Sequence, residues 1–423
     1  MPMSLRVEGR HPLSGIYQPS GNANAAQALV AAALLTEAPV TLRNMPRTLS
    51  TQAMIDTAAS LGTAVTWQDD ALTLQTAQIT RRTLSQADTD ASVGALLFIA
   101  PILIRRQHAR LEIDFPLNRI RTHLEALRDL GIDIVSGNNA VEFKATPWER
   151  KDIVLTQASV TATALVMLLA TRMGKQTVIY NAACEPHVQE LGSLLNAMGA
   201  QIEGIGSNML TITGVEALNG AEATVGPDHI EAASIAAIAA MSGGRIQIDG
   251  IRMKDMRVIT KIYWRLGIQL DIDEAAIFVP RQDTITVSNR EEDVDSSIET
   301  APWPGFPSDL VSVATVIATQ ARGTSLIHEK MFANRLLFVD KLKAMGAQIV
   351  LCDPHRAIVI GPSPLHGIYM DTPDVRAGLG MLAAALVAEG ESRIDNAQQI
   401  EHTFAGVLGK LQALNAQITV EQN

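Results

Sequence analysis

"AMGAQI" occurs twice in this chain, at residues 197–202 and again at 344–349. Four looser copies stand elsewhere: "SLGTAV" (60–65), "DLGIDI" (129–134), "RLGIQL" (265–270) and "ALNAQI" (413–418). Their third residues are Gly62, Gly131, Gly199, Gly267, Gly346 and Asn415, spaced by subtraction at 69, 68, 68, 79 and 69 residues. A helix that closes on a left-handed residue selects Gly at that place and tolerates Asn. Recurrence at a near-constant period marks a fold assembled from one supersecondary unit. The reading is six copies of a unit, each ending a helix on the marker and running into a strand.

Each unit carries an earlier, far more apolar helical stretch: "NAAQALVAAALL" (24–35), "ASVGALLFIAPILI" (91–104), "VTATALVMLLAT" (160–171), "IEAASIAAIAAM" (230–241), "DLVSVATVIATQ" (309–320) and "VRAGLGMLAAALVA" (375–388). A helix apolar on every side must be buried on every side. The second helix of each unit, such as "VQELGSLLNAMG", is amphipathic and belongs nearer the surface. The unit therefore reads as strand, buried helix, strand, amphipathic helix, strands. The apolar helices form the core and the sheets wrap outside, the reverse of an ordinary barrel. Small residues in those helices permit close packing, and three units per domain, twice, is the simplest closure. The longer fourth spacing comes from "SNREEDVDSSIETAPWPGFPSD" (288–309), whose acidic part, 291–295, reads as a solvated loop.

Composition excludes several classes. A chain of 423 residues is expected to hold two or three domains, and 47% hydrophobic with 18% charged residues reads as globular. A net charge of −10 argues against nucleic acid as a partner, while a local basic cleft for a small anion stays open. Two cysteines, Cys184 and Cys352, cannot make a disulfide framework and fit a reducing cytoplasm. No apolar run approaches the ~20 residues that span a bilayer. A soluble cytoplasmic protein is expected, a monomer or weak oligomer, with no membrane partner. The nine histidines show no metal-ligand spacing, and neither a metal nor another cofactor is expected. Cys184 in "NAACEPHV" has no basic neighbour and reads as an inert thiol.

The apolar helices open on Asn24, Asp90, Ser159, Asp228, Asp309 and Asp374. Each taken alone reads as a helix cap. Together, six such starts in a two-domain repeat could converge on one cleft with their positive dipole ends facing it, which suits an anionic substrate. The first of these, in "SGNANAAQALV" (20–30), has the small and amide residues of an anion-binding turn and contains no Lys or Arg.

The motifs "SGNANAA", "NAACEPHVQELGSLLNAMGA", "VGPDHIEAASI", "TAPWPGFPSDL", "MFANRLLFVDKLKAMGA" and "DVRAGLGMLAAALVAEG" span essentially the whole chain and resemble the enolpyruvyl transferase family, in its branch acting on UDP-N-acetylglucosamine. The A-P-x-P-x-F-P-x-D string is the most specific of them. The resemblance implies a two-domain inside-out α/β barrel, with domains 21–227 and 1–20 plus 228–423. It implies transfer of the enolpyruvyl group of phosphoenolpyruvate to a sugar-nucleotide hydroxyl, with release of phosphate. By position, Asp309 corresponds to the Asp at the acceptor hydroxyl, Asn24 to the turn Asn, Arg335 to the Arg of F-x-N-R, and Arg376 to an Arg facing the enolpyruvyl carboxylate. Ser159, Val160 and Glu185 fall at substrate-binding positions. The lid arginine falls among Asn118, Arg119 and Arg121, with Arg121 the candidate.

Several positions depart from the family. Its turn reads S-G-A-K-N, and the Lys that contacts phosphoenolpyruvate is here Ala23. Its lid Cys is missing from "LEIDFPLNRIRTHLEAL" (111–127), where Asp114 is the residue available to stand in. Asp90 and His402 replace arginines, and the nucleotide string K-V-S-V-G reads "QASVT", with Gln157 and Thr161 substituted. A charge-assisted contact to phosphate contributes roughly 2–4 kcal/mol to a transition state, or two to three decades of rate. Losing the Lys, the Cys and an Arg would remove useful turnover by the family mechanism. Two readings follow: a transferase with altered acceptor or chemistry, and a catalytically silent paralogue that binds a ligand or a protein.

Overall fold

All six marker residues adopt positive φ: 105° at Gly62, 89° at Gly131, 102° at Gly199, 91° at Gly267, 109° at Gly346 and 80° at Asn415. The structure is a computed structural model that describes residues 3–288, 297–371 and 375–422, with 375, 376 and 422 described by backbone alone. The acidic segment 291–295 and Asp374 lie outside the described residues. Two compact units divide the chain, one of residues 1–20 with 227–423 and one of residues 21–226.

Among the described residues there are six four-stranded sheets of one topology. In the unit ending at Gly199 and its hairpin, strand Trp148–Val154 leads into the buried helix Val160–Met173 and returns as the parallel strand Gly174–Tyr180. The amphipathic helix Pro186–Ala197 follows, and strands Gln201–Glu203 and Met209–Thr213 then complete the sheet as an antiparallel pair. A parallel pair needs a crossover connection, and in four of the six sheets the buried helical segment is that crossover. Three sheets borrow a strand from elsewhere in the chain. Ala221–Thr224 pairs in parallel with Val40–Arg43, closing the 21–226 unit on itself. In the other unit Ser14–Tyr17 pairs in parallel with Arg245–Asp249, and Met3–Glu8 lies between Glu391–Asp395 and Gln417–Gln422.

The apolar helices form the cores. Helix His229–Met241 is buried from His229 through Ala240, and it packs with Val311–Gln320 and Val375–Val387 in one hydrophobic cluster. The helices Ala23–Ala33, Ile99–Arg106 and Val160–Met173 occupy the other. Burial on all sides leaves no water for polar side chains, so the hydroxyls inside turn back onto their own helix. Thr171 donates to Leu168 O at 2.8 Å, Ser234 to Ile230 O at 2.7 Å and Thr315 to Val311 O at 2.7 Å. Small residues set the spacing: a Cβ on Gly380 would stand 2.5 Å from that of Ser312 on the neighbouring helix.

Candidate functional site

In the unit of residues 1–20 and 227–423, the strap from Thr300 to Pro307 leads into a short 3-10 turn, Ser308–Leu310, ahead of helix Val311–Gln320. Glu329, at the end of strand Gly323–His328, has no exposed surface and organises this strap. It accepts from the hydroxyls of Thr300 and Ser308 and from the backbone N–H groups of Met331 (2.7 Å) and Phe332 (3.1 Å). Both ends of a buried carboxylate are thus satisfied, which a charge removed from water requires.

The same loop carries Arg335, 8% exposed, whose guanidinium lies 4.5 Å from the centre of the Phe332 ring. Its Nη1 donates to Asp309 Oδ1 and to Ser308 O, each at 3.2 Å. The Asp309 side chain is 40% exposed where that of Arg335 is 6%. The structure brings together these two sequence-predicted residues: a carboxylate open to solvent, positioned from behind by a guanidinium that is not.

Behind them lies a buried acidic group. Asp228 caps helix His229–Met241 by accepting from Ile230 N at 2.9 Å and Glu231 N at 3.0 Å. Burial pushes its carboxyl up to about 7, with Glu231 and more weakly Asp309 adding repulsion against the two capping bonds. Glu231, 1% exposed, accepts from Tyr17 Oη at 2.5 Å and from Lys410 Nζ at 2.9 Å. Burial, reinforced by Glu231, holds the Tyr17 hydroxyl far above its usual range. His229 meets Trp303 of the strap edge to face at 5.6 Å.

In the unit of residues 21–226 several expectations need correction. Asn22, not Asn24, caps helix Ala23–Ala33, accepting from Ala25 N at 2.9 Å, and Asn24 is exposed one residue into the helix. Asp90 does not start the second apolar helix. It sits in the short helix Gln86–Ala91, and Ser92 caps the following 3-10 segment Val93–Phe98. Asp309 lies within its 3-10 turn, not at a cap. Ser159 and Asp228 do cap their helices. An N-cap needs an extended backbone and a side chain turned onto the first N–H groups, and sequence spacing alone misplaced it by two residues at both Asn24 and Asp90.

Ser159 accepts from Ala162 N at 3.3 Å, with Val160 the first helical residue. The substituted Thr161 is engaged: its hydroxyl lies 2.7 Å from His123 Nε2. Burial lowers the pKa of His123 to about 4, so the ring is neutral near pH 7. Glu185 precedes helix Pro186–Ala197 without capping it. Cys184 is 5% exposed, and burial, with Glu185, raises its thiol pKa. In the lid, Arg121 is exposed and pairs with Glu125 at 2.6 Å. Arg119, also exposed, has no side-chain hydrogen bond or ion pair among the described residues. Gln86 Nε2 donates to Asp114 Oδ2 at 2.7 Å and to Asp90 Oδ2 at 3.4 Å, joining the two acidic substitutions. The side chain of Arg376 lies outside the described residues.

Sequence reading missed Glu329, the Asp228–Glu231–Tyr17–Lys410 group and the His123–Thr161 pair. A signal existed for Glu329, an acidic residue directly after the apolar strand "TSLIH" and before the F-x-N-R string. None existed for Glu231 and Tyr17, which are 214 residues apart. Among the described residues, no group of His, Cys, Asp and Glu could hold a metal ion, and no helix is long and apolar enough to cross a membrane.

The family described as EPSP synthase (3-phosphoshikimate 1-carboxyvinyltransferase) matches residues 7–411. The chain is 41% identical to UDP-N-acetylglucosamine 1-carboxyvinyltransferase of Bradyrhizobium diazoefficiens, covering 99% of this chain and 98% of that protein. It is 40% identical to the protein of the same name from Treponema denticola, over 98% and 99%. Among solved structures, the enolpyruvyl transferase NikO from Streptomyces tendae superposes with a TM-score of 0.88 at 20% identity, over 100% of this chain and 99% of that one. EPSP synthase from Acinetobacter baumannii superposes at 0.75 with 15% identity, over the full length of both. At such identities the structural likeness speaks to the fold, an inside-out α/β barrel of six repeats.

Proposed function

Because the chain belongs to the EPSP synthase family of enolpyruvyl transferases, we propose that it transfers the enolpyruvyl group of phosphoenolpyruvate to a sugar-nucleotide hydroxyl, with Asp309 at the acceptor and Arg335 positioning it. The Asp309–Arg335 pair supports this reading, since an open carboxylate fixed by a buried guanidinium is preorganised to take a proton. The acceptor oxygen bonds to the central carbon of phosphoenolpyruvate as its proton passes to Asp309 and the methylene carbon gains a proton. The carbon–oxygen bond to phosphate then breaks, the methyl carbon returns a proton, and the vinyl ether forms. With no lid Cys, Asp114 of the corresponding segment is proposed to exchange the carbon-bound proton. Asn24, Ser159, Val160, Glu185, Arg121 and Arg376 are proposed to bind the substrates.

A second reading, a paralogue that holds a ligand without turning it over, is favoured by Ala23 in place of the family Lys and by the Asp90–Gln86–Asp114 bridge. Phosphate release from phosphoenolpyruvate across a panel of sugar nucleotides and nucleotides tests both. Acceptor-dependent release supports transfer. Calorimetric binding without release, at any acceptor, moves the assignment to the second reading.

A further inference from the structure

A cavity of about 690 Å³ in the unit of residues 21–226 is lined by three arginines, Arg105, Arg106 and Arg172, with Glu37 as its one carboxylate. The arginines stand in the last turns of the buried helices Ile99–Arg106 and Val160–Met173, where a cation ordinarily neutralises the terminal carbonyls. Hydrogen bonding to carbonyls of neighbouring segments, rather than of their own helices, occupies two of the three. Arg105 donates to Leu34 O (3.3 Å), Thr76 O (2.7 Å) and Ala77 O (2.7 Å) and pairs with Glu37 at 3.4 Å, and Arg106 donates to Ile79 O at 2.5 Å.

Such bonding does not account for Arg172. Its Nε is shut off from water without a hydrogen-bond partner, and its guanidinium has no ion pair among the described residues. Burial and the like charge of Arg172 together lower the pKa of Arg105, with Glu37 opposing them. A surplus of positive charge is thus concentrated in one cavity of a chain whose net charge is −10. The lining also offers accessible apolar surface, at Ala77 and Ala217, and the volume lies in the range of small-molecule sites.

We propose that this cavity binds a phosphorylated small molecule, with its phosphate on Arg172 and Arg106 and its carbon body against Ala77 and Ala217. A dianionic oxyanion matches the charge surplus, and guanidinium groups hold phosphate through paired N–H bonds.

Calorimetric titration of the whole chain with glucose 6-phosphate and with inorganic phosphate tests this. Both should bind, the ester more tightly because it alone reaches the apolar wall. Arg172→Gln should weaken both about tenfold or more. Arg172→Lys should weaken them less, and Gln78→Glu, an exposed change on the cavity wall that leaves the core untouched, should weaken them several-fold. Arg335→Gln should leave this binding intact. Unchanged affinity in both Arg172→Gln and Gln78→Glu overturns the proposal, as does loss of the heat in Arg335→Gln. Absence of binding by either phosphate overturns it equally.

Discussion

One nitrogen of Arg335, Nη1, bonds at 3.2 Å both to the carboxylate of Asp309 and to the carbonyl of the residue before it, Ser308. The guanidinium therefore sets the position of the acidic side chain and of the turn that presents it. Arg335→Lys keeps the charge but loses the planar group that lies over the Phe332 ring and aims Nη1 at both acceptors. We expect acceptor-dependent phosphate release to fall about a hundredfold in Arg335→Lys and further in Asp309→Asn. Steady-state kinetics of both variants check this, and wild-type rates in Asp309→Asn would remove Asp309 from the chemistry.

Glu329 ties the strap to the Arg335 loop through two hydroxyls and two N–H groups. In Glu329→Gln the amide can replace one oxygen if the Ser308 hydroxyl turns to accept, at a cost of about 1–3 kcal/mol. Glu329→Ala leaves four donors unmatched and is expected to lose more than Glu329→Gln. Denaturant midpoints rank the two, and equal midpoints for both variants and wild type would deny Glu329 its organising role.

Two buried groups give stability opposite pH slopes. The folded-state pKa of Asp228, about 7, lies above its unfolded value, so its contribution is complete below ~4 and is lost as pH rises through 7. That of His123, about 4, lies below the unfolded ~6.5, so its contribution is present above 6.5 and is lost as pH falls through 4. Asp228→Asn should flatten the rising-pH limb and His123→Gln the falling-pH limb. Unfolding midpoints measured from pH 4 to 8 decide both, with a slope unaltered by either substitution as the contrary result.

An epoxide phosphonate such as fosfomycin is expected to leave the protein unmodified. The lid contains no thiol, Cys184 is buried with its thiol pKa raised, and the exposed Cys352 stands on strand Gln348–Asp353, outside the lid segment that would hold the phosphonate. Intact-mass spectrometry after incubation should show one unshifted peak. A stoichiometric adduct mapping to residues 111–123 would contradict the lid reading.

Ala23 has no exposed surface and stands at the first position of its helix, where a cation opposes the helix dipole. Ala23→Lys should therefore lower the melting temperature of the ligand-free protein. If the family mechanism is merely weakened here, it should also tighten phosphoenolpyruvate binding by ~1–3 kcal/mol, about tenfold to a hundredfold. Calorimetry with and without UDP-N-acetylglucosamine measures the second effect. A melting temperature that falls with no gain in affinity would favour the silent-paralogue reading.

The sequence by itself determined the repeat, the crossover helices and the left-handed residues at 62, 131, 199, 267, 346 and 415. Each is a local demand: a Cβ penalty at one residue, or an apolar pattern within one helix that admits only burial. It also placed Asp309 and Arg335 in recognisable strings. What only the tertiary structure decided is which side chains meet. Asn22 rather than Asn24 caps its helix because capping depends on backbone direction. Glu329 is a buried hub because two segments 29 and 21 residues away supply its hydroxyl donors. Asp228 is pushed toward neutrality by burial and by Glu231, and Arg172 stands in a cavity shared with arginines more than 60 positions earlier. Local sequence sets the geometry of an element, whereas burial and charge depend on everything packed around it, and that information exists only once the chain has closed.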